Sequence, residues 1–387
     1  MADRLRIMIS CGEPSGDLYA GALAAEILKL EPDAAIAGFG SERLRAAGAS
    51  LIRDFRGLSV TGLTEALRVI PRSWQNYRAL LRAADAERPD VFVPIDFPDF
   101  NFFLARAMHT RRVPVVYYIS PQLWAWRRGR LKTMKRVADR VLVIFPFEAP
   151  FYEQAGVPVT FVGHPLLELT RPPASRDAFM REHGLDPARP LVAILPGSRR
   201  NELHAILPDL VRSARVIAER TPTVQFVLAR APHLSDELFT PLAEFPSASR
   251  PVVVEGETDA VLASADVAIL ASGTVTVQAA LHGCPMVVVY RLGALTYTVG
   301  KPFVHVDTYA MVNLVAGRKV VPELIQEAFT PEAVASETLR ILNDPAHAAA
   351  VKADLAAVRA RLGSAGASRR AAEAVIAAAR AGKQYTP

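Results

Sequence analysis

A chain of 387 residues exceeds what one ordinary hydrophobic core organises, so two compact domains are expected, with room for a cleft between them. The composition, 51% hydrophobic and 22% charged, is globular and excludes extended disorder, while a net charge of +6 calls for an anionic partner: phosphate, nucleic acid or an acidic lipid surface. The two cysteines, Cys11 and Cys284, stand far apart with no Cys/His spacing, which excludes a disulfide framework and a zinc site and fits a reducing cytoplasm.

From the N-terminus, charged Asp3, Arg4 and Arg6 lead straight into a short strand, with no apolar signal core. No later segment reaches the roughly 18 consecutive apolar residues of a membrane span, so a soluble, unexported chain is expected. Strands are expected at 6–10, 35–38, 91–95, 113–119, 141–144 and 160–162, alternating with helical patterns, as in βαβ units of a parallel sheet. A Pro- and charge-rich stretch from 169 to 190 reads as an interdomain link and an entry helix. A second alternating series follows at 191–195, 225–228, 252–254, 267–271 and 286–290. Ala-rich helices at 345–362 and 368–382 close the chain. The fold class expected is α/β, two Rossmann-like halves in tandem, divided at 1–168 and 169–366, with the last helix, 367–387, completing the first half.

Doubly wound sheets bind ligands at strand ends, and the informative residues fall there. Cys11-Gly12-Glu13-Pro14-Ser15-Gly16-Asp17 follows the first strand; it serves either as a tight turn capped by Ser15 or Asp17, or as a place where backbone amides approach a ligand with Glu13 at the mouth. Its spacing is not the dinucleotide fingerprint. Between 58 and 82, Leu63, Leu67 and Ile70 lie at helical spacing, Pro71 interrupts the helix, and it resumes through Trp74 and Tyr77, with Arg68, Arg72, Arg78 and Arg82 interspersed. Such a stripe is either buried core or an apolar patch ringed by arginines. Asp96 ends a strand toward the expected cleft and is the candidate general base, while Asp99 is expected to be a helix N-cap. Trp124-Ala125-Trp126 leads into the basic run that begins at Arg127, either a solvated helix face or a binding surface. His164 either braces the hinge or touches ligand. In the second half, Gly197-Ser198-Arg199 and Ser272-Gly273-Thr274 each close a strand before a helix. Amides at the second motif's helix N-terminus, its two hydroxyls and the Arg199 guanidinium together make a phosphate site. The basic residues accompany no nucleic-acid recognition module, so no nucleic-acid partner is expected.

Taken in order, these motifs resemble lipid-A-disaccharide synthases across nearly the whole chain. The resemblance is carried by Gly12 to Asp17, Asp96 with Pro98 to Asn101, Ser120 to Arg127, Phe145 to Glu148, Gly163 to Pro165, Leu195 to Arg199, Glu202, Ser272 to Thr274, Cys284 to Val287 and Asn313 to Arg318. It implies a GT-B fold, two Rossmann-like domains facing a cleft, and an inverting glycosyl transfer without metal or cofactor. The reaction would join UDP-2,3-diacylglucosamine and 2,3-diacylglucosamine 1-phosphate into a β(1→6) disaccharide phosphate, releasing UDP, within lipid A and lipopolysaccharide biosynthesis. By position Asp96 matches the base and Glu13 an acidic residue of the first-half site. Gly197, Ser198, Arg199, Glu202, Ser272, Gly273, Thr274, Gln278 and Asn313 match the nucleotide-sugar site. Because both substrates are acylated, Ser15, Leu63, Leu67, Arg68, Ile70, Arg72, Trp74, Trp124 and Arg127 become the expected acceptor and membrane-facing residues, at the anionic inner face of the cytoplasmic membrane. Two positions depart from the pattern: Gln278 stands where the family has glutamate, and Met311-Val312 replaces Leu-Pro before Asn313. The sequence leaves open another UDP-sugar enzyme of this fold, such as a 2-epimerase or a soluble-acceptor transferase, and a nonenzymatic nucleotide-sugar or anionic-lipid binder. It also leaves open acyl-chain length and oligomeric state, a homo-oligomer included.

Overall fold

The computed structural model describes residues 4–56, 63–125, 128–171, 175–232, 234–245, 249–291 and 308–384, with the side chains of 63–69, 128, 383 and 384 outside that description. It divides into two units, Met1–Glu168 with Leu362–Pro387, and Leu169–Pro302 with Val306–Arg361.

In the first unit a parallel sheet runs β3-β2-β1-β4, formed by β1 (Arg6–Ser10), β2 (Ala35–Gly40), β3 (Ser50–Asp54) and β4 (Val91–Pro94). Single bridges Phe92–Val115 and Ile95–Tyr118 continue it into β5 (Val116–Tyr118), β6 (Arg140–Val143) and β7 (Val159–Phe161). β4 is apolar and wholly buried, and β1 is buried from Ile7 to Ser10 around the apolar run Ile7-Met8-Ile9, as strands covered on both faces must be. Helices α1 (Pro14–Leu30), α2 (Glu42–Ala46), α3 (Leu63–Glu87), α4 (Pro98–Thr110), α5 (Leu131–Val137), α6 (Glu148–Gln154) and α7 (Leu166–Leu169) follow the strands. The C-terminal helix Ala367–Gln384 belongs to this unit: Glu168 accepts hydrogen bonds from the N–H groups of Gly366, just before the helix, and Ser368, in its first turn, and Arg370 donates to the Val162 carbonyl. Such capping satisfies amide donors that an α-helix leaves open.

After α8 (Arg176–Glu182), the second unit forms an all-parallel sheet in the order β10-β9-β8-β11-β12-β13, from β8 (Leu191–Leu195), β9 (Gln225–Arg230), β10 (Val252–Glu255), β11 (Val267–Ala271), β12 (Met286–Tyr290) and β13 (Glu323–Ile325). Helix α9 (Arg200–Arg220) lays Leu203, Ile206, Leu207, Leu210, Ala214 and Ile217 into the core over β8 and β11; α10 (Thr258–Ser264) and α11 (Thr274–Leu281) follow β10 and β11. Both sheets share one winding. From the first strand the chain builds outward on one side, then crosses back to lay its fourth strand on the other. The order therefore reverses between β1 and β4 and between β8 and β11, and at such a reversal the loops after the two strands splay apart to leave a ligand crevice.

Two expectations about elements are corrected, and two strands are added. Helix α3 runs without interruption through Pro71. Asp99 lies in the first turn of α4, whose N-cap is Phe97. Strands β3 and β13, outside the sequence reading, lie at sheet edges.

Candidate functional site

At the first reversal, β4 gives way to two non-glycine residues of positive φ, Asp96 at 42° and Phe97 at 49°. This sparsely populated conformation needs outside support. Buried Asn101 supplies it: its Nδ2 donates to the carbonyls of Ser10 (3.1 Å), Ile95 (3.2 Å) and Asp96 (2.9 Å), while the Ser10 hydroxyl donates to its Oδ1 (2.6 Å). The Tyr117 hydroxyl also donates to the Asp96 carbonyl (2.9 Å). One side chain thus ties the end of β1 to the end of β4, leaving the Asp96 side chain only half-buried. The β1 loop closes on the same turn, for a Cβ on Gly12 would stand 2.3 Å from the Phe97 ring. Glu13 is the half-buried N-cap residue of α1, with Ser15 in its first turn. Asp17 caps a different helix from its own: its carboxylate accepts from the N–H groups of Ser41, Arg43 and Leu44 at the start of α2. Burial, and then the Asp96 carboxylate, hold the Tyr19 and Tyr117 hydroxyls well above the usual phenol range.

Trp124, read from sequence as an acceptor or membrane-facing residue, and His164, read as either a brace or a ligand group, are both internal. Trp124, expected at a surface, is buried, donates from Nε1 to Glu148 Oε1 (3.3 Å) and meets the Phe147 ring edge-on at 5.0 Å. Burial pushes the Glu148 carboxyl up to about 8, against hydrogen bonds from Phe145, Trp124 and Ile144. His164 is buried between Tyr19 and Phe145, accepts the Leu166 N–H on Nδ1, and is pulled down to about 3 by burial, so it is a neutral brace. On α3, by contrast, Ile70 and Trp74 stand 55% and 56% exposed, Trp74 stacks on Tyr77, and the Arg78 guanidinium lies 5.9 Å from the Trp74 ring centre. Arg72 is exposed as well, while Asn76, Leu80 and Ala84 face inward. The side chains of Leu63, Leu67 and Arg68, and all of Arg127, lie outside the described residues.

At the second reversal, Gly197 has φ +114°, and a Cβ there would stand 2.6 Å from Glu202 Oε2. That carboxylate organises the loop. Its Oε2 accepts from the N–H groups of Ser198 (3.1 Å) and Arg199 (3.2 Å), and its Oε1 from Arg199 Nη1 (2.9 Å). Glu202, read from sequence as a ligand residue, is buried and sets the backbone and the guanidinium that can face one. Across the reversal, Gly273 and Thr274 lie at the N-terminus of α11, with open space where a Gly273 Cβ would be, and the Ser272 hydroxyl donates to the Tyr309 carbonyl. Such a terminus suits an anion.

Asn313, matched by resemblance to the nucleotide-sugar site, is buried and braces its own loop. All its hydrogen-bonding capacity is internal: Oδ1 accepts the N–H groups of Val320 and Val321, and Nδ2 donates to the Val321 carbonyl and Glu323 Oε1. Glu323 also accepts from Tyr309 and Ala310 N–H, fixing the start of the helix Met311–Ala316; the roles of Glu323, Asn101 and Glu148 as braces have no signal in the sequence. In the second turn of α11, Gln278 donates to Asp259, whose carboxylate also accepts the Arg171 N–H and lies 2.9 Å from His282 Nε2. Although partial burial opposes its charge, these bonds hold Asp259 below the usual carboxylate range. Among the described residues no group of three His, Cys, Asp or Glu side chains is arranged to hold a metal, and no helix is long and apolar enough to cross a membrane.

With this geometry in hand, comparisons with known proteins identify the lineage. A family model for lipid-A-disaccharide synthetase matches residues 7–378. The lipid-A-disaccharide synthase of Geobacter sulfurreducens is 44% identical over 371 residues, 96% of each chain, and that of Myxococcus xanthus 43% over 376 residues, 97% of this chain and 98% of that one. Among solved structures, a UDP-GlcNAc 2-epimerase from Neisseria meningitidis aligns over 97% of this chain and 100% of its own, with a TM-score of 0.68 at 13% identity. The calicheamicin glycosyltransferase CalG4 aligns over 99% and 100%, with a TM-score of 0.59 at 17% identity. These distant likenesses speak for the two-domain fold; the close relatives speak for descent. The chain belongs to the lipid-A-disaccharide synthase family, glycosyltransferases built on two Rossmann-like domains.

Proposed function

We propose that this chain transfers 2,3-diacylglucosamine from its UDP derivative to the 6-hydroxyl of 2,3-diacylglucosamine 1-phosphate, with inversion and without a metal, at the inner face of the cytoplasmic membrane. The carrying observation is the matched pair of strand reversals: one presents a carboxylate, Asp96, and the other presents amides, hydroxyls and a guanidinium. Acceptor chemistry needs a base and a departing nucleotide needs fixed positive dipoles, so residues 1–168 with the terminal helix take the acceptor, and 169–366 the donor. Asp96 removes the proton of the 6-hydroxyl as its oxygen attacks the anomeric carbon and the bond to UDP breaks. Glu13 lines the acceptor mouth. The Ser198 and Arg199 loop and the Ser272 to Thr274 turn receive the diphosphate, Gln278 faces the ribose, and Glu202 and Asn313 hold those loops in place. Distant structures of this fold with UDP-GlcNAc or UDP and glucose bound support a nucleotide-sugar as the donor.

The exposed α3 stripe, Ile70 and Trp74 with Arg72 and Arg78 beside them, supports peripheral attachment to anionic lipid, since apolar groups enter the interface while each arginine adds about 1 kcal/mol. The reading is tested by UDP release from UDP-2,3-diacylglucosamine. Release only when the acylated acceptor is present supports it. Turnover of donor alone would reassign the chain to an epimerase or hydrolase, and binding without turnover to a carrier.

A further inference from the structure

The hollow between α4 and the turn Arg128–Arg130 that leads into α5 belongs to neither reversal. Its lining is Asp99, Phe102, Phe103, Arg106, Arg130 and Thr133. Arg130 is held there by contacts that fix its direction: Nη2 donates to Asp99 Oδ1 at 2.6 Å and the guanidinium lies 5.5 Å from the Phe102 ring centre. Its Nη1 is buried and finds no hydrogen-bond partner among the described residues. A buried guanidinium donor without an acceptor is uncommon, because each such N–H forfeits its bond to water. Arg106 donates one Nη2 bond to the Thr133 hydroxyl and is otherwise exposed. Two guanidiniums against one carboxylate leave the hollow with a net positive charge, and Phe103, 60% exposed, gives it an apolar lip.

The hollow is coupled to the Asp96 turn through few atoms. Phe102 packs against the Tyr117 ring at 5.7 Å, and the Tyr117 hydroxyl donates to the Asp96 carbonyl. An oriented, under-satisfied guanidinium with a second arginine beside it matches the oxygens of a phosphate monoester, which accept several charge-assisted hydrogen bonds at once. We infer that this hollow is a phosphate subsite, with Arg130 and Arg106 gripping the phosphate of an acylated sugar phosphate while Phe103 borders its acyl groups. The inference rests on the acceptor reading given under the proposed function and adds to it the place where the acceptor's charge is held. Asp99 is then a tuning residue: it orients Arg130 and at the same time opposes an incoming anion.

The test compares wild type with Arg130→Gln, Arg106→Gln and Asp99→Asn in steady-state kinetics, using the acylated acceptor with and without its 1-phosphate. A parallel calorimetric titration uses soluble glucosamine 1-phosphate. For the phosphorylated acceptor, Arg130→Gln should raise KM roughly 10- to 100-fold, the loss of a charged hydrogen bond. Arg106→Gln should raise it several-fold, with kcat and donor KM nearly unchanged in both. Asp99→Asn should lower KM, an effect that loss of a merely structural ion pair would not produce. Against the dephosphorylated acceptor all four proteins should perform alike. Equal losses on both acceptors, or no change on either, would overturn the subsite. Arg106 is exposed, so its variant reports even where Arg130→Gln folds poorly. The titration separates the two ideas: if wild type binds glucosamine 1-phosphate in an Arg130-dependent way yet transfers no sugar, the subsite stands and the transferase reading falls. Normal transfer with arginine-independent kinetics would leave the transferase reading standing and remove the subsite.

Discussion

Gln278 donates its side-chain hydrogen bond to Asp259, and that single contact fixes which way the amide faces. A carboxylate can only accept, so the amide nitrogen turns toward Asp259 and the carbonyl oxygen turns away, where in the proposed site it accepts from a ribose hydroxyl. A glutamate here would bring two carboxylates together, and like charges in partial burial repel. Charge alone favours Gln278→Glu for gripping a ribose; Asp259 reverses that expectation. Gln278→Glu should weaken UDP binding several-fold at neutral pH, and adding Asp259→Asn should restore it, because the new amide donates to the new carboxylate. Calorimetry showing full affinity in the single variant would mean that Asp259 does not set the amide's direction.

Asp96→Asn should lower kcat by roughly 10² to 10⁴ while leaving UDP-sugar affinity intact. Asparagine accepts the left-handed backbone that Asp96 adopts, so the turn survives the substitution. Tyr117→Phe removes one of the bonds to the Asp96 carbonyl and should give a smaller kcat loss with donor KM unchanged. An Asp96→Asn enzyme as fast as wild type would exclude Asp96 as the base.

In the second unit, Gly197→Ala meets both a positive φ and a carboxylate oxygen 2.6 Å from the new methyl group. Glu202 must then move, releasing the Ser198 and Arg199 amides. UDP affinity should fall in Gly197→Ala and in Glu202→Ala, and Arg199→Ala should cost about 1.5 to 3 kcal/mol of binding. Titration of the three variants checks this, and unchanged affinity in all of them would place the diphosphate elsewhere.

Burial raises the Glu148 carboxyl from its ordinary 4.5 to about 8, so the folded state holds a proton that the unfolded chain gives up earlier. The stability linked to that proton is complete below about 4.5 and is lost as pH climbs to about 8. Glu148→Gln keeps an acceptor for Trp124 without the ionisation. Its melting temperature should therefore gain on wild type steadily across that window. A gap that stays constant with pH would show that Glu148 is neutral or charged alike in both states.

The sequence reading matches the structure where local pattern decides. Residues 6–10, 191–195, 267–271 and 286–290 coincide with β1, β8, β11 and β12, whose continuous apolar runs are the mark of central parallel strands. Edge strands β3 and β13 escaped it because Ser50, Arg53 and Asp54, or Glu323, break the apolar run. The stretch expected at 113–119 shortens to Val116–Tyr118, since Pro114 donates no backbone hydrogen bond and Ile119 turns to φ +55°. Motif residues were legible as a set, but their roles were not. Trp124 reads as a surface aromatic until Glu148, 24 residues on, is seen holding its indole, and nothing in the sequence shows that Val320, Val321 and Glu323 fold back onto the Asn313 amide. Pairings across that many residues leave no periodicity to read.

Asp96 is proposed to activate an acylated sugar phosphate against a UDP-linked acylated glucosamine without metal, and the decisive measurement is mass spectrometry of the products. Wild type and Asp96→Asn are each given the two acylated substrates in the presence of chelator. Wild type should form acylated disaccharide phosphate and UDP in equal amounts, and Asp96→Asn almost none of either although it still binds UDP-sugar. Disaccharide from Asp96→Asn at the wild-type rate, loss of wild-type activity on chelation, or UDP accumulating without disaccharide would contradict that assignment.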